Sequence, residues 1–372
     1  MSDLKNLTLV VPTYMRPLYA RRVVDFWKDT GVHLHVLDGS PEASMSGSVF
    51  GEYNRVHYHH MPNTPSSSER WLYASEVVDT PYAALMADDD FFVPSGLREC
   101  IDQMDSDNSL VGCFGKTLYF FYQGGQILAH ETYLDRQYTR SDGNSALERV
   151  RLLNNYGDNK ISAMIYGIFR AEAWKQVMRS SFGQQFHPPA VPESIFRILM
   201  PYFGEVRILD VLYWLRSGEV GSSPHIVNDG VFLHKWAEDP AYAHEVSEYK
   251  RVMIDAIVQA GESNLDAVAD VISDVTQAFF DRRKMKDGRG LPLDPLRRQR
   301  DKAITLSPRW IKTLSKKLLP RIVLKLLGWS NRSWDDALRS LSKKGVSIDF
   351  TECGKIEKFL IEFHRKTSGV VA

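Results

Sequence analysis

Ala83-Ala84-Leu85-Met86-Ala87-Asp88-Asp89-Asp90-Phe91-Phe92-Val93-Pro94 is the stretch that decides how this chain folds. An apolar run of buried-strand length ends in three adjacent acids, and an aromatic pair and a proline follow. Carboxylates side by side at a strand end repel one another, and a bound cation offsets that repulsion. A divalent-cation site, Mg or Mn, on Asp88, Asp89 and Asp90 is therefore the first expectation.

Upstream, apolar runs and helical periodicities alternate. Residues 7–11 form a β-rich run closed by Pro12, and residues 17–28 carry Val23, Val24 and Trp27 near helical spacing. A second strand over 33–37 ends at Asp38-Gly39-Ser40, a third is expected over 55–59, and Ser68 is read as the cap of a helix reaching 78. With 83–87 as the fourth strand, the order is βαβ and predicts a parallel sheet crossed by helices. His57 and His59 share one face of the third strand and His60 takes the other, the pattern of an edge strand rather than a metal cluster.

Downstream, 118–122 and 126–130 flank Gly124-Gly125 and read as a tight hairpin. Residues 144–155 and 193–202 read as helices, 161–169 as an apolar return to the sheet, and 206–215 as a strand. Beyond about residue 239 helical periodicity takes over, so the expected division is a catalytic domain over 1–238 and a helical region over 239–372. Residues 308–344 are rich in Lys and Arg and carry apolar residues at helical spacing. That pattern suits either an interfacial helix on an anionic membrane surface or an ordinary packed helix.

The 372 residues hold 46 acidic and 46 basic side chains, which argues against a globally basic nucleic-acid binder. Cys100, Cys113 and Cys353 are too far apart for a zinc ribbon or a disulfide framework. The N-terminus lacks the pattern of a signal peptide, and no apolar stretch is long enough to span a bilayer. A cytoplasmic protein is expected, with peripheral attachment to the inner face of the membrane if the basic segment binds lipid.

In an α/β sheet, ligands bind outside the carboxyl ends of parallel strands. Pro12-Thr13-Tyr14, Asp38-Gly39-Ser40 and the acidic triplet should all lie there and shape a nucleotide crevice. A Gly-x-Gly-x-x-Gly fingerprint and a phosphate-loop motif are both absent from the sequence, which weakens dinucleotide redox and P-loop hydrolysis as readings.

Val10-Val11-Pro12-Thr13-Tyr14-x-Arg16-Pro17, then Leu37-Asp38-Gly39-Ser40, then Leu85 through Pro94, resemble in order and spacing the glycosyltransferase family 2-like enzymes of the GT-A fold. The likeness spans about the first 235 residues and is most specific in the first 95. It implies a Rossmann-like, mostly parallel sheet flanked by helices, here with a helical C-terminal extension. It also implies a nucleotide-diphosphate-sugar donor, a glycan or lipid-linked acceptor, and a divalent metal on an Asp-x-Asp element. Many relatives carry Asp-x-Asp-Asp, and in that register Ala87 replaces the first acid, so which acids hold the ion stays open, with Asp90 or Asp89 the first choice of ligand. Asp88 can instead face the sugar or ribose.

The inverting reaction implied by the resemblance needs a base, and the matching helix start at Val191-Pro192-Glu193 nominates Glu193. Pro12, Thr13, Tyr14, Asp38 and Asp88 are expected along the donor, Arg16 and Arg70 at its phosphates, and His234 as a late basic contact. Two rivals remain at this level: a non-catalytic nucleotide-sugar or glycan-binding protein, and a nucleotidyl- or phosphosugar-dependent transferase of the same fold.

Overall fold

The computed structural model describes residues 4–45, 53–64, 66–132, 145–155, 164–218, 233–288 and 332–367. Four strands build its first half: β1 (Leu7–Thr13), β2 (His33–Asp38), β3 (Val56–His60) and β4 (Tyr82–Leu85). β1 pairs in parallel with both β2 and β4, and β2 with β3, so these four strands point their carboxyl ends the same way. β1 and β4 are almost continuously buried, as apolar runs are when helices cover both faces. The helices between them are α1 (Pro17–Trp27) and α2 (Ser67–Val77). α1 starts on Pro17, whose missing N–H is no loss in a first turn. α2 is capped by Ser66, which accepts from the Ser68 N–H at 3.2 Å, so the cap lies two residues before the expected Ser68.

The rest of the sheet adds antiparallel strands to this parallel half. After β5 (Phe91–Phe92) and α3 (Pro94–Ser106), the long β6 (Leu110–Gln123) turns at Gly124 and Gly125 into β7 (Gln126–Thr132). Both glycines have positive φ, 63° and 86°, as a two-residue hairpin turn requires. α4 (Ala146–Asn155) precedes β8 (Ile168–Arg170), which inserts antiparallel between β4 and β6. α5 (Ala171–Phe182) and α6 (Ala190–Phe203) lead to β9 (Glu205–Ser217), parallel to β6 and antiparallel to β5. Strand order along the main path is β10-β7-β6-β8-β4-β1-β2-β3.

Beyond residue 232 the described residues are mostly helical: α7 (Leu233–Glu238), α8 (Ala243–Gln259), α9 (Leu265–Gly288), α10 (Trp334–Ser342) and α11 (Phe350–Thr367). One strand was not expected there, β10 (Arg332–Ser333), which extends the sheet beside β7. Tyr249, Met253, Val271 and Phe279 of α8 and α9 belong to the same hydrophobic cluster as Leu9, Leu37 and Leu85 of the sheet. A second cluster joins Trp334, Leu338, Cys353 and Ile356 to Phe91, Phe120 and Ile127. No helix among the described residues is long and apolar enough to cross a membrane. Of the basic segment, the apolar positions Trp310 through Trp329 lie outside the described residues, while Trp334, Leu338 and Leu341 are packed in the second cluster.

β3 sits at the sheet edge, where the expected histidine alternation holds. His35 of β2 stacks on His57 at 4.5 Å and on His59 at 5.2 Å, and His35 Nδ1 lies 3.1 Å from His59 Nε2. Burial and the neighbouring His57 and His59 push the His35 imidazole down to about 3. A histidine that resists protonation only when folded keeps its full stability contribution above the unfolded value of about 6.5 and loses it as pH falls toward 3. Denaturant titrations from pH 7 to pH 4 are expected to show stability falling on acidification, and His35→Phe to flatten that fall. An equal fall in both proteins would rule His35 out as a cause.

Candidate functional site

The carboxyl ends of β1, β2 and β4 lie side by side, because the three strands are adjacent and parallel. At the end of β4, Asp90 N–H bonds back to the Ala87 carbonyl at 3.2 Å, so the triplet forms a tight turn before β5. All three aspartates are under 8% exposed: Asp88 4%, Asp89 7% and Asp90 4%. They do not point one way. Asp88 accepts from Thr13 Oγ1 at 2.8 Å and from Arg16 at 2.5 Å, and the same guanidinium reaches Asp89 at 3.1 Å. Asp90 turns to the opposite wall, where it accepts from Trp214 Nε1 at 3.0 Å and from the Ser217 N–H at 2.7 Å.

Burial and Asp89 push the Asp90 carboxyl up to about 8. Asp88 is pushed up to about 6, chiefly by burial, with the Arg16 charge opposing. Arg16 itself is raised: burial alone would lower it, but Asp88 and Asp89 outweigh that. Among the described residues, no three His, Cys, Asp or Glu side chains gather as a metal cluster. Asp88 and Asp89 nonetheless offer hard oxygens on one side, the pairing with which Mg or Mn is held when phosphate oxygens complete the shell. Two aspartates fit such an ion. Asp90 is turned away from them.

The β1 and β2 loops are clamped together. Met15 takes φ 53°, an uncommon value for a side chain other than glycine, and its N–H donates to Ser40 Oγ at 2.7 Å. Met15 is also 60% exposed at this position. Asp38, 0% exposed, accepts from Ser40 N–H at 2.9 Å, Ser40 Oγ at 2.5 Å, Ser44 N–H at 2.8 Å and Tyr58 Oη at 2.6 Å. Burial works to raise its carboxyl, yet the donors from Ser40, Ser44 and Tyr58 outweigh it and hold the group low. About four lone-pair positions exist on a carboxylate. The chain's own donors fill them all, so Asp38 fixes the shape of the 38–44 loop before any ligand arrives.

Arg70 lies beneath that loop, 4% exposed, with its guanidinium donating to the Thr64 carbonyl and 5.8 Å from the Tyr14 ring. It feels the charges of both Asp38 and Asp88. Pro12, Tyr14 and Arg16 are partly exposed toward the crevice side of β1, while Thr13 is spent on Asp88.

Glu193 stands in the first turn of α6, solvent-accessible yet set deep among protein atoms. That setting pushes its carboxyl up, against the charges of Arg283, Arg216 and Arg197. Tyr166 links it to the triplet: its phenol, raised by burial, also feels Glu193, Asp90 and Asp89, and its ring stacks on Trp214 at 4.8 Å. His234 is half-buried at the start of α7, and Glu238 one turn on feels its charge.

Two residues that sequence reading passed over complete the setting. Arg22, 1% exposed on the inner face of α1, donates to the Asp89 carbonyl at 2.8 Å. Its guanidinium lies 4.6 Å from the Tyr19 ring, 5.1 Å from Phe91 and 4.9 Å from Phe363 of α11. An arginine among Ala20, Val23, Val24 and Trp27 was a visible signal; its partner in α11 was not. Glu352 of α11 accepts from the Ser95 N–H at 2.7 Å, supplying the first turn of α3 with a carboxylate that the local sequence lacks.

No family model matches the chain, and no curated protein does. Among solved structures, S. aureus TarS 1–349 in complex with UDP-GlcNAc is similar at 12% identity and a TM-score of 0.47, over 77% of this chain and 75% of that one. The same protein in complex with UDP gives 11% and 0.44 over the same shares. CMP:2-keto-3-deoxy-manno-octonic acid synthetase complexed with CTP gives 12% and 0.32, over 57% of this chain and 90% of that one. These likenesses are partial, and the function below is built on this chain's own residues.

Proposed function

We propose that the chain is a GT-A-like inverting glycosyltransferase, moving a sugar from a nucleotide-diphosphate-sugar donor to a hydroxyl of a glycan or lipid-linked acceptor. One observation carries the reading: three adjacent parallel strands end side by side, and the last of them delivers the Asp88–Asp89 pair held on the Arg16 guanidinium. The β1 and β2 loops, shaped by Asp38 and Arg70, are assigned to the nucleoside. Asp88 and Asp89 would hold Mg or Mn, which when bound supplies positive charge to the donor diphosphate.

Glu193 is assigned the base. The acceptor oxygen attacks the anomeric carbon, the bond from that carbon to the diphosphate oxygen breaks, and the electron pair leaves with the diphosphate. The acceptor's proton passes to Glu193. Desolvation by the surrounding protein raises the Glu193 carboxyl although its side chain is solvent-accessible, and a raised carboxylate is better matched to that task near neutral pH. Arg16 is assigned to the departing charge, with Arg70 and His234 kept as further basic contacts. Asp90, with both oxygens engaged by Trp214 and Ser217, is assigned to anchoring the turn.

Thermal-shift titration with nucleoside diphosphates and their sugars, with and without Mn, tests the reading. A ligand at about 100-fold over its Kd adds about 2.7 kcal/mol to apparent stability. Metal-dependent stabilisation by one nucleotide is expected. No shift with any nucleotide in either condition would reject the donor site, and an undiminished response in chelator would reject the metal.

A further inference from the structure

We propose that Arg16 is a displaceable internal cation: it occupies the Asp88–Asp89 pair in the free protein, yields it to the divalent ion, and then pairs with the donor diphosphate. The inference deepens the transferase reading and rests on it. Its basis is that one guanidinium bridges Asp88 Oδ1 at 2.5 Å and Asp89 Oδ2 at 3.1 Å. Those are oxygens that an ion on this pair would use. A monovalent, tethered charge thus sits where a divalent one is expected, and two cations on the same carboxylate pair repel each other, so the ion competes with the guanidinium for it.

Two further features say where the guanidinium goes when displaced. Arg16 is 10% exposed as a side chain, and its Nε is buried with no hydrogen-bond partner among the described residues. A buried donor left unmade is costly, and a phosphate oxygen in the crevice would satisfy it. Arg16 also occupies the N-cap position of the 11-residue α1, with no side-chain cap bond. Pro17 brings no N–H to that helix start and the Tyr19 and Ala20 N–H groups bond back to the Arg16 carbonyl, so the helix offers its dipole there and the guanidinium is the donor left to meet an anion. The Tyr19 ring, 4.0 Å from Cζ, keeps the side chain at the lip in either state.

Ligand exchange of this kind gives opposite signs for two ligands, which a merely structural role would not. Binding of Mn²⁺ alone to the full chain is read from the free-ion electron paramagnetic resonance signal, and binding of a nucleoside diphosphate at saturating Mn²⁺ by calorimetry. Arg16→Gln is expected to bind Mn²⁺ alone about fivefold or more tightly than the parent, because no tethered cation competes, and to bind the nucleoside diphosphate about tenfold more weakly. Arg16→Lys should stay near the parent for Mn²⁺, and Tyr19→Leu, which removes the ring shared by the Arg16 and Arg22 guanidinium groups but leaves both charges, should move in the Gln direction by less. Mn²⁺ binding by Arg16→Gln no tighter than by the parent overturns the exchange, whether or not the parent binds nucleotide. A parent that binds Mn²⁺ but no nucleoside diphosphate rejects the transferase reading instead, and with it the second half of the exchange.

Discussion

Glu193→Gln is expected to lower kcat by about 10²- to 10⁴-fold, the range a positioned base contributes, while donor affinity stays within about a factor of two. Gln keeps the shape of the side chain and removes only its ability to take a proton. Glu193 is solvent-accessible in the first turn of α6, so the neutral amide strands no buried partner. The parent should also lose activity on acidification, since Glu193 must be ionised to act. Burial raises its carboxyl, so that acid limb should lie above the ordinary carboxylate range and vanish in the variant. Transfer at the parental rate by Glu193→Gln would remove the base assignment. A protein that binds donor and transfers nothing in either form would favour the non-catalytic reading.

The largest expected effect on stability comes from a single methyl group. In Gly96→Ala the new Cβ would collide with the Leu212 carbonyl and approach Tyr213 Cα at 3.0 Å, both of them backbone of β9. Alanine in a helix gains up to about 1 kcal/mol over glycine in propensity. Forcing α3 off a strand it touches costs about 1–3 kcal/mol or more, and backbone cannot rotate away as a side chain can. The clash wins, and a net loss on the order of 2 kcal/mol is expected in urea unfolding. Gly354 of α11 is the internal comparison, because nothing lies within 4 Å of its added Cβ. Gly354→Ala should leave stability unchanged or raise it by up to about 1 kcal/mol. Equal effects at the two glycines would show that α3 does not rest on β9 as described. A drop confined to Gly96→Ala should also weaken donor binding, since α3 begins four residues after Asp90.

Local patterns carried much of the architecture. The alternation of apolar strands with amphipathic helices over residues 7–85 is a short-range property, and burial on both faces leaves little choice about which segments pair. The hairpin at Gly124 and Gly125 was equally legible, because only glycine takes both positive φ angles without strain. The antiparallel insertion of β8 was not. Three residues, Ile168–Arg170, carry too little periodicity to reveal which strands they will separate. β10 has two residues and gave no signal at all.

By itself the sequence determined the parallel half-sheet, the meeting of Thr13, Asp38 and Asp88 at its carboxyl edge, and an acidic turn in need of positive charge. Those follow from residue type and from neighbours a few positions away. Only the tertiary structure decided how that turn is used. It sends Asp88 and Asp89 to Arg16 and Asp90 to Trp214 and Ser217, although the three acids are adjacent and alike in the sequence. It also brings Phe363 to Arg22 and Glu352 to Ser95, across gaps of hundreds of residues. Which carboxylate meets Arg16 and which anchors the turn depends on partners supplied by distant elements, and no local window of sequence contains them.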